Sequence, residues 1–252
     1  MIFDTHAHYD DRAFDADREQ ILREAHAAGI GRILDPGCDA KSSRAAVALA
    51  ERFDFVYAAV GIHPEELESC DEEALLEIRT LAEHPKCLAI GEIGLDYYWD
   101  DSHKQEQKQL FRWQIELALE LNKPVIVHDR EAHADTLALL KRHRPKGVLH
   151  CYSGSVETMR EAVDLGLFIG LGGAVTFKNA KKPLAVAAAV PADRLLLETD
   201  CPYMAPVPFR GKRNDSSLIF YVAQTIAEVR GMETQALIDQ CRENANRLFG
   251  VD

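Results

Sequence analysis

Short runs dominated by Val, Ile, Leu and Ala alternate along the chain with longer segments whose apolar residues recur three and four positions apart. The short runs have the length and β-branched content of buried strands, and the longer ones have the period of helices with one apolar face. Eight runs read as strands, at residues 2–5, 32–36, 56–62, 87–93, 125–128, 147–151, 167–172 and 194–199. The helical spacing is plain before the fifth strand, in Leu110, Trp113, Ile115, Leu117 and Leu121, and residues 233–249 form a further helical tail. Strict alternation of this kind is the signature of βα units around a parallel sheet.

Eight strands, each followed by a helix, in 252 residues match the size of a (β/α)8 TIM barrel, an α/β fold, whereas an open doubly wound sheet usually has fewer strands. A hydrophobic content of 47% is enough for one large core. No internal linker, low-complexity run or short-period repeat interrupts the pattern, so one domain over residues 1–252, closed by an extra C-terminal helix, is the economical expectation. No apolar stretch approaches the length of a membrane span and no basic leader precedes Ile2, which predicts a cytoplasmic protein without a membrane partner. Six cysteines lie scattered with no close pair, which fits reduced thiols better than a disulfide framework or a zinc ribbon. The net charge of -12 opposes a broad electrostatic grip on duplex nucleic acid, so any polyanion must be met locally.

Candidate chemistry gathers at the predicted C-terminal strand ends. The first strand runs into Asp4-Thr5-His6-Ala7-His8. Residues two apart on a strand share a face at about 6 to 7 Å, so two imidazoles there can grip one cation. The plainer reading is a pair of polar residues stabilising a strand end. Glu92, His128, His150 and Asp200 fall at the ends of strands four, five, six and eight, and in a barrel those ends converge on the face that carries active sites. Ionisable groups are seldom buried without partners, so four histidines and two carboxylates at converging ends read as a metal centre. They exceed the ligand set of one open catalytic ion and predict two divalent cations, with Glu92 offering an oxygen to each. Such a pair suits displacement at phosphorus, because it stabilises both the attacking and the leaving oxygen. A mixed imidazole and carboxylate shell accepts Mg, Mn, Zn or Ni.

These residues sit within longer motifs: Val60-Gly61-Ile62-His63-Pro64, Gly91-Glu92-Ile93-Gly94-Leu95-Asp96-Tyr97-Tyr98, His150-Cys151-Tyr152-Ser153-Gly154, Glu198-Thr199-Asp200-Cys201-Pro202-Tyr203 and Asn244-Ala245-Asn246-Arg247-Leu248-Phe249-Gly250. Together with the opening His6-Ala7-His8 they make the chain resemble, over essentially its whole length, the TatD family of metal-dependent deoxyribonucleases. The resemblance implies that His6, His8 and Asp200 hold one metal, that His128 and His150 hold the other, and that Glu92 touches both. It also implies Asp200 as general base on a metal-activated water, so that Asp200 and Glu92 are the catalytic residues. DNA or a short phosphodiester, engaged at single-stranded ends, is the implied substrate, and no obligate protein partner is evident. The sequence departs from the family's usual pattern at His128-Asp129-Arg130, where a Ser often stands in the middle, and at Asp215-Ser216-Ser217, where an acidic residue and a proline are usual. Both departures bear on the substrate rim.

Substrate contacts are expected from His63, Arg130, Tyr152 and Arg210. His63 ends the third strand, where it either meets a phosphate or caps the chain, and Arg130 either clamps a phosphate or pairs with Asp129 or Glu131. Lys178, Lys181, Lys182, Arg210, Lys212 and Arg213 gather in the loops after strands seven and eight. With Tyr97, Tyr98, Trp99, Tyr203 and Phe209 they suggest a funnel for a few nucleotides. Strand alternation predicts that Cys151 and Cys201 point away from the metals. A C–N hydrolase is the second reading, but a bridging lysine is usual late in the fourth strand of such barrels, and here Lys86 opens that strand while Glu92 holds the late position. A binding protein that has lost turnover is the third reading, and the intact ligand set gives it no support.

Overall fold

The computed structural model describes residues 1–99 and 102–251. Its eight strands follow chain order around one parallel sheet: β1 (Ile2–Asp4), β2 (Ile30–Pro36), β3 (Val56–Val60), β4 (Cys87–Asp96), β5 (Val125–Arg130), β6 (Gly147–Leu149), β7 (Phe168–Leu171) and β8 (Leu195–Leu197). The ring closes where β8 returns to β1. There Thr5 N–H donates to Leu197 O at 3.2 Å, Asp200 N–H to His6 O at 2.9 Å and His8 N–H to Cys201 O at 2.7 Å. The expected (β/α)8 barrel is therefore the observed one.

Helices α1 (Arg18–Ala27), α2 (Ala40–Arg52), α3 (Glu72–Ala82), α4 (Lys104–Glu120), α5 (His133–His143), α6 (Val156–Asp164), α7 (Lys181–Ala189) and α8 (Ile219–Arg230) follow the strands in turn, and α9 (Thr234–Phe249) completes the chain. Their starts are written in the sequence. Asp39 and Ser42 form a reciprocal capping box at α2, Asp71 accepts from Ala74 N at α3, and Ser155 accepts from Thr158 N at α6. No helix among the described residues is long and apolar enough to cross a membrane.

Strand ends differ from the sequence pattern in an informative way. β4 and β5 run past residues 93 and 128 because Gly94, at φ +150°, lets the two backbones close up; a Cβ there would collide with the His128 carbonyl oxygen. β6 and β8 stop short. Cys151 and Asp200 adopt left-handed backbone at φ 41° and 59°, and Thr199 turns its N–H and Oγ1 to the Asp4 carboxylate at 3.0 and 2.7 Å instead of extending the ladder.

The lower barrel interior takes one apolar residue from every strand: Phe3, Leu34, Ala59, Ala89, Ile126, Val148, Phe168 and Leu196. Ala245, Leu248 and Phe249 of α9 pack onto this layer, with the Phe249 ring centroid 5.8 Å from that of Phe3. The C-terminal helix thus plugs the barrel end opposite the ligand-bearing strand ends. Phe249→Ala is expected to cost about 3 kcal/mol or more of unfolding free energy by urea titration. Phe220→Ala, at a side chain 48% exposed on α8, should stay within about 0.5 kcal/mol. Equal effects would mean that the plug contributes nothing beyond surface packing.

Candidate metal centre

The apolar layer sets a parity that carries upward. His128 lies two residues beyond Ile126, His150 two beyond Val148, and Asp200 four beyond Leu196, all on the inward face. Glu92 lies an odd three residues beyond Ala89, but the β4–β5 register shifts between Ile90 and Ile93 and turns it inward. The result is a cavity of about 940 Å³ at the C-terminal mouth, lined by His8, His63, Glu92, His128, His150 and Asp200 among others.

Glu92, only 4% exposed, stands at its centre. Its Oε2 lies 3.2 Å from His6 Nε2 and 3.5 Å from His8 Nε2, and these two nitrogens are 3.1 Å apart. Its Oε1 lies 2.9 Å from His128 Nδ1, 2.7 Å from His150 Nε2 and 3.6 Å from His63 Nε2. Asp200 Oδ1 borders the first group, 3.5 Å from His8 Nε2 and 3.8 Å from His6 Nε2. The second nitrogen of His8 is fixed by Pro36 O at 3.1 Å. Among the described residues three triads are close enough to share a cation: His6, His8 and Glu92; His63, Glu92 and His128; His6, His150 and Glu198.

The electrostatics suit cations. Burial opposes charge on Glu92, yet His150, His6 and the hydrogen bond with His128 hold its carboxyl well below the usual range. His6 is fully buried and stacked on His150 at 3.9 Å between ring centroids; burial, and then the charge of His150, push it down to about 4. Burial and His128 together push His63 to about 3. His128 goes the other way: its bonds with Asp96 and Glu92 outweigh burial and raise it to about 10. His8 and His150 are raised too, the acidic groups around them outweighing burial, so a divalent cation gathering these imidazoles beside the ionised Glu92 would release their protons. Among the described residues the buried His6 Nδ1 and His150 Nδ1 find no hydrogen-bond partner, and His150 Nε2 stands 2.7 Å from Glu92 Oε1. The donor set fits divalent metal.

Other expected contacts fall elsewhere. Arg130 lines the cavity but pairs with neither acid named for it; its guanidinium stacks 3.7 Å above the Tyr98 ring and 5.2 Å from Trp99. His63 caps the chain, its Nδ1 accepting from Glu65 N–H, while its Nε2 faces Glu92. Tyr152 is 5% exposed, outside the cavity lining, and spends its hydroxyl on Ser155 O at 2.8 Å. Arg210 donates to Ala205 O and lies 3.8 Å over Phe177, and Arg213 pairs with Asp17 at 2.7 Å. Lys178, Lys181 and Lys182 are exposed, and none of these loop cations lines the cavity. The basic half of the expected funnel is therefore spent on structural partners or solvent. Cys151 also departs from expectation: β6 ends before it, alternation lapses, and the left-handed residue lines the cavity. Lys86 donates to Phe53, Asp54 and Val56 carbonyls below β4, far from any bridging role.

The departures at residues 129 and 215–217 turn inward or sideways. Asp129 accepts from His133 Nδ1 at 2.7 Å, and Ser216 Oγ donates to the buried Asp4 at 2.6 Å. Two acids escaped the sequence reading. Glu198 sits two residues before Asp200 on the same face, in space left by Gly170, accepts from Cys151 N–H and is raised to about 8 by burial. Asp96, four residues beyond Glu92, lies 2.9 Å from His128 Nε2. The two-residue parity that found His6 and His8 would have found both.

Comparison with known proteins agrees with this geometry. The family model described as TatD related DNase matches residues 3–250. The chain is 45% identical over its full length, and that of the relative, to the uncharacterized metal-dependent hydrolase YabD of Bacillus subtilis. It is 37% identical to the 3′-5′ ssDNA/RNA exonuclease TatD of Klebsiella pneumoniae, over 100% of this chain and 98% of the relative. The crystal structure of YjjV, a TatD homologue from Escherichia coli K12, superposes with a TM-score of 0.94 at 36% identity, covering 100% of this chain and 98% of that one. The barrel, the mouth filled with imidazoles and carboxylates and the full-length match make this chain a member of the TatD related DNase family of metal-dependent hydrolases.

Proposed function

We propose that this chain is a two-cation phosphodiesterase that removes nucleotides from single-stranded nucleic-acid ends, DNA foremost. One observation carries the reading: the two oxygens of Glu92 face separate imidazole groups, Oε2 toward His6 and His8, Oε1 toward His128 and His150. Relatives named 3′-5′ ssDNA/RNA exonuclease TatD, 34 to 37% identical to this chain, support the substrate class. His6, His8 and Asp200 would hold one cation, His128 and His150 the other, and Glu92 both, with His63 beside the second group. Cations held there supply positive charge to the oxygens of a phosphodiester and acidify bound water.

The remaining work belongs to the protein. Asp200 stays ionised at neutral pH, because the hydrogen bond from His8 and the imidazoles of His6 and His150 beside it overcome its burial. It is thus ready to accept a proton at Oδ1. Arg130, its guanidinium carbon 3.7 Å from the centre of the Tyr98 ring, offers a planar donor group suited to a phosphate one nucleotide away. Tyr98, Trp99 and Tyr203, 53%, 68% and 55% exposed, offer faces on which bases stack. Asp10, Asp11 and Asp39 line the same cavity and repel a long polyanion, which favours a chain end inserted by few phosphates.

Complete chelation is expected to abolish shortening of a 5′-labelled single-stranded oligonucleotide, and added Mn²⁺, Mg²⁺ or Zn²⁺ to restore it as a ladder receding from the 3′ end. Cleavage that survives chelation, or internal cuts alone, would discard the reading. Asp200→Asn should lower kcat by about 10²- to 10⁴-fold. Elemental analysis of that variant should still return the wild-type metal content. A wild-type rate at full metal loading would strip Asp200 of its role as proton acceptor.

A further inference from the structure

An imidazole binds a cation through one nitrogen, and which one is free is set by the partner of the other. His128 is gripped at both. Its Nδ1 lies 2.9 Å from Glu92 Oε1 and its Nε2 lies 2.9 Å from Asp96 Oδ2. A neutral ring carries one proton and can donate to only one of them.

The Asp96 carboxylate is the fixed side of this grip. It is 2% exposed, and its Oδ1 accepts the Tyr98 N–H at 2.8 Å. Its own main chain is pinned twice by the buried Gln107 of α4, N–H to Oε1 and C=O from Nε2, each at 2.9 Å. Glu92 and Asp96 stand on one strand, two residues either side of Gly94, and Gly94 is the residue that pairs in register with His128. Because Gly94 has no side chain, β4 and β5 approach closely enough for one imidazole to reach both carboxylates. Asp96 Oδ2 meets the ring at the nitrogen that does not face Glu92, so it lies outside the space between Glu92, His128 and His150 where a cation would sit.

We infer that Asp96 is a positioning residue that takes the Nε2 proton of His128 and so leaves the Nδ1 lone pair aimed into the group formed with Glu92 and His150. The inference rests on the two-cation reading for its consequence, and on the His128 geometry alone for its tautomer. Carboxylate partners of this kind raise ligand basicity and lock ring orientation, and their removal typically weakens metal affinity about 10- to 100-fold. Asparagine at position 96 keeps an oxygen that can accept from Nε2, whereas alanine keeps nothing.

The test titrates Zn²⁺ calorimetrically into full-length wild type, Asp96→Ala, Asp96→Asn and His150→Ala, each first checked for native circular dichroism. The His150→Ala titration identifies which uptake belongs to the second group. Asp96→Ala should weaken that uptake about 10- to 100-fold and leave the other unchanged, with Asp96→Asn recovering most of the loss. Unchanged affinity in Asp96→Ala overturns the inference. So does an Asn variant as poor as the Ala variant, which would make Asp96 a direct ligand. A second readout follows the ring itself: ¹⁵N spectra of the Zn²⁺-loaded protein should show His128 protonated at Nε2 alone in the wild type and mixed in Asp96→Ala. If the wild type takes up a single Zn²⁺, the two-cation reading falls by itself. The ring spectrum then decides Asp96, and a proton on Nδ1 in the wild type overturns it.

Discussion

The burial of one carboxylate governs the upper half of this barrel. Removing an ionised carboxyl from water costs several kcal/mol unless opposite charge and hydrogen bonds replace the solvent, and Glu92 is almost completely withdrawn. The imidazoles pressed around it are that replacement. Their own burial then sets them apart from one another: His6 and His63 are held neutral while His128 keeps a proton between two acids. The backbone serves the same end, since Gly94 lets β4 and β5 close and the register shift before Ile93 swings the carboxyl inward. Asp200 sits in left-handed backbone, a strain of order 1 to 3 kcal/mol that well-packed surroundings must hold.

Around that centre the mouth carries both signs, with acids in excess: Asp10, Asp11 and Asp39 stand with Arg12 and Lys41 after β1 and β2, and Glu65, Glu66 and Asp129 stand with Arg130. In a chain carrying -12 overall, a nucleic acid gains little from long-range attraction. On the proposed reading, recognition of a nucleic acid comes from short-range stacking and from groups at the bottom of the cavity.

Much of this was readable from the chain itself because barrels convert sequence parity into geometry. The eight strand runs and the ligand-type residues at their ends follow from period-two alternation and the convergence of strand ends, whereas Glu92 turns inward through the register shift between Ile90 and Ile93. Parity failed where the backbone leaves the strand: Cys151 was read as outward because β6 was carried two residues too far, and its left-handed turn reverses the inference. Asp96 was missed for the opposite reason, since β4 continues three residues beyond the run of apolar side chains. The loop cations misled because charge in a sequence says nothing about what neutralises it. Arg213 belongs to Asp17, and Arg210 to a carbonyl and a phenyl ring. Ser216, a departure at the supposed rim, is a buried donor to Asp4.

The closure between the first and last strands has a consequence in time. Asp4 accepts from Thr199 and Ser216 across 195 and 212 residues of chain, and His6 and His8 depend on that seam for their place opposite Asp200. During synthesis β1 emerges first and then waits, exposing an inward face with no partner, until β8 and the plugging helix α9 have left the ribosome. Contacts of such long sequence separation form late, because the loop entropy must be met before they return anything. The first imidazole pair is therefore among the last parts of the molecule to take its place, and a chain interrupted before β8 carries those histidines without Asp200 to stand opposite them.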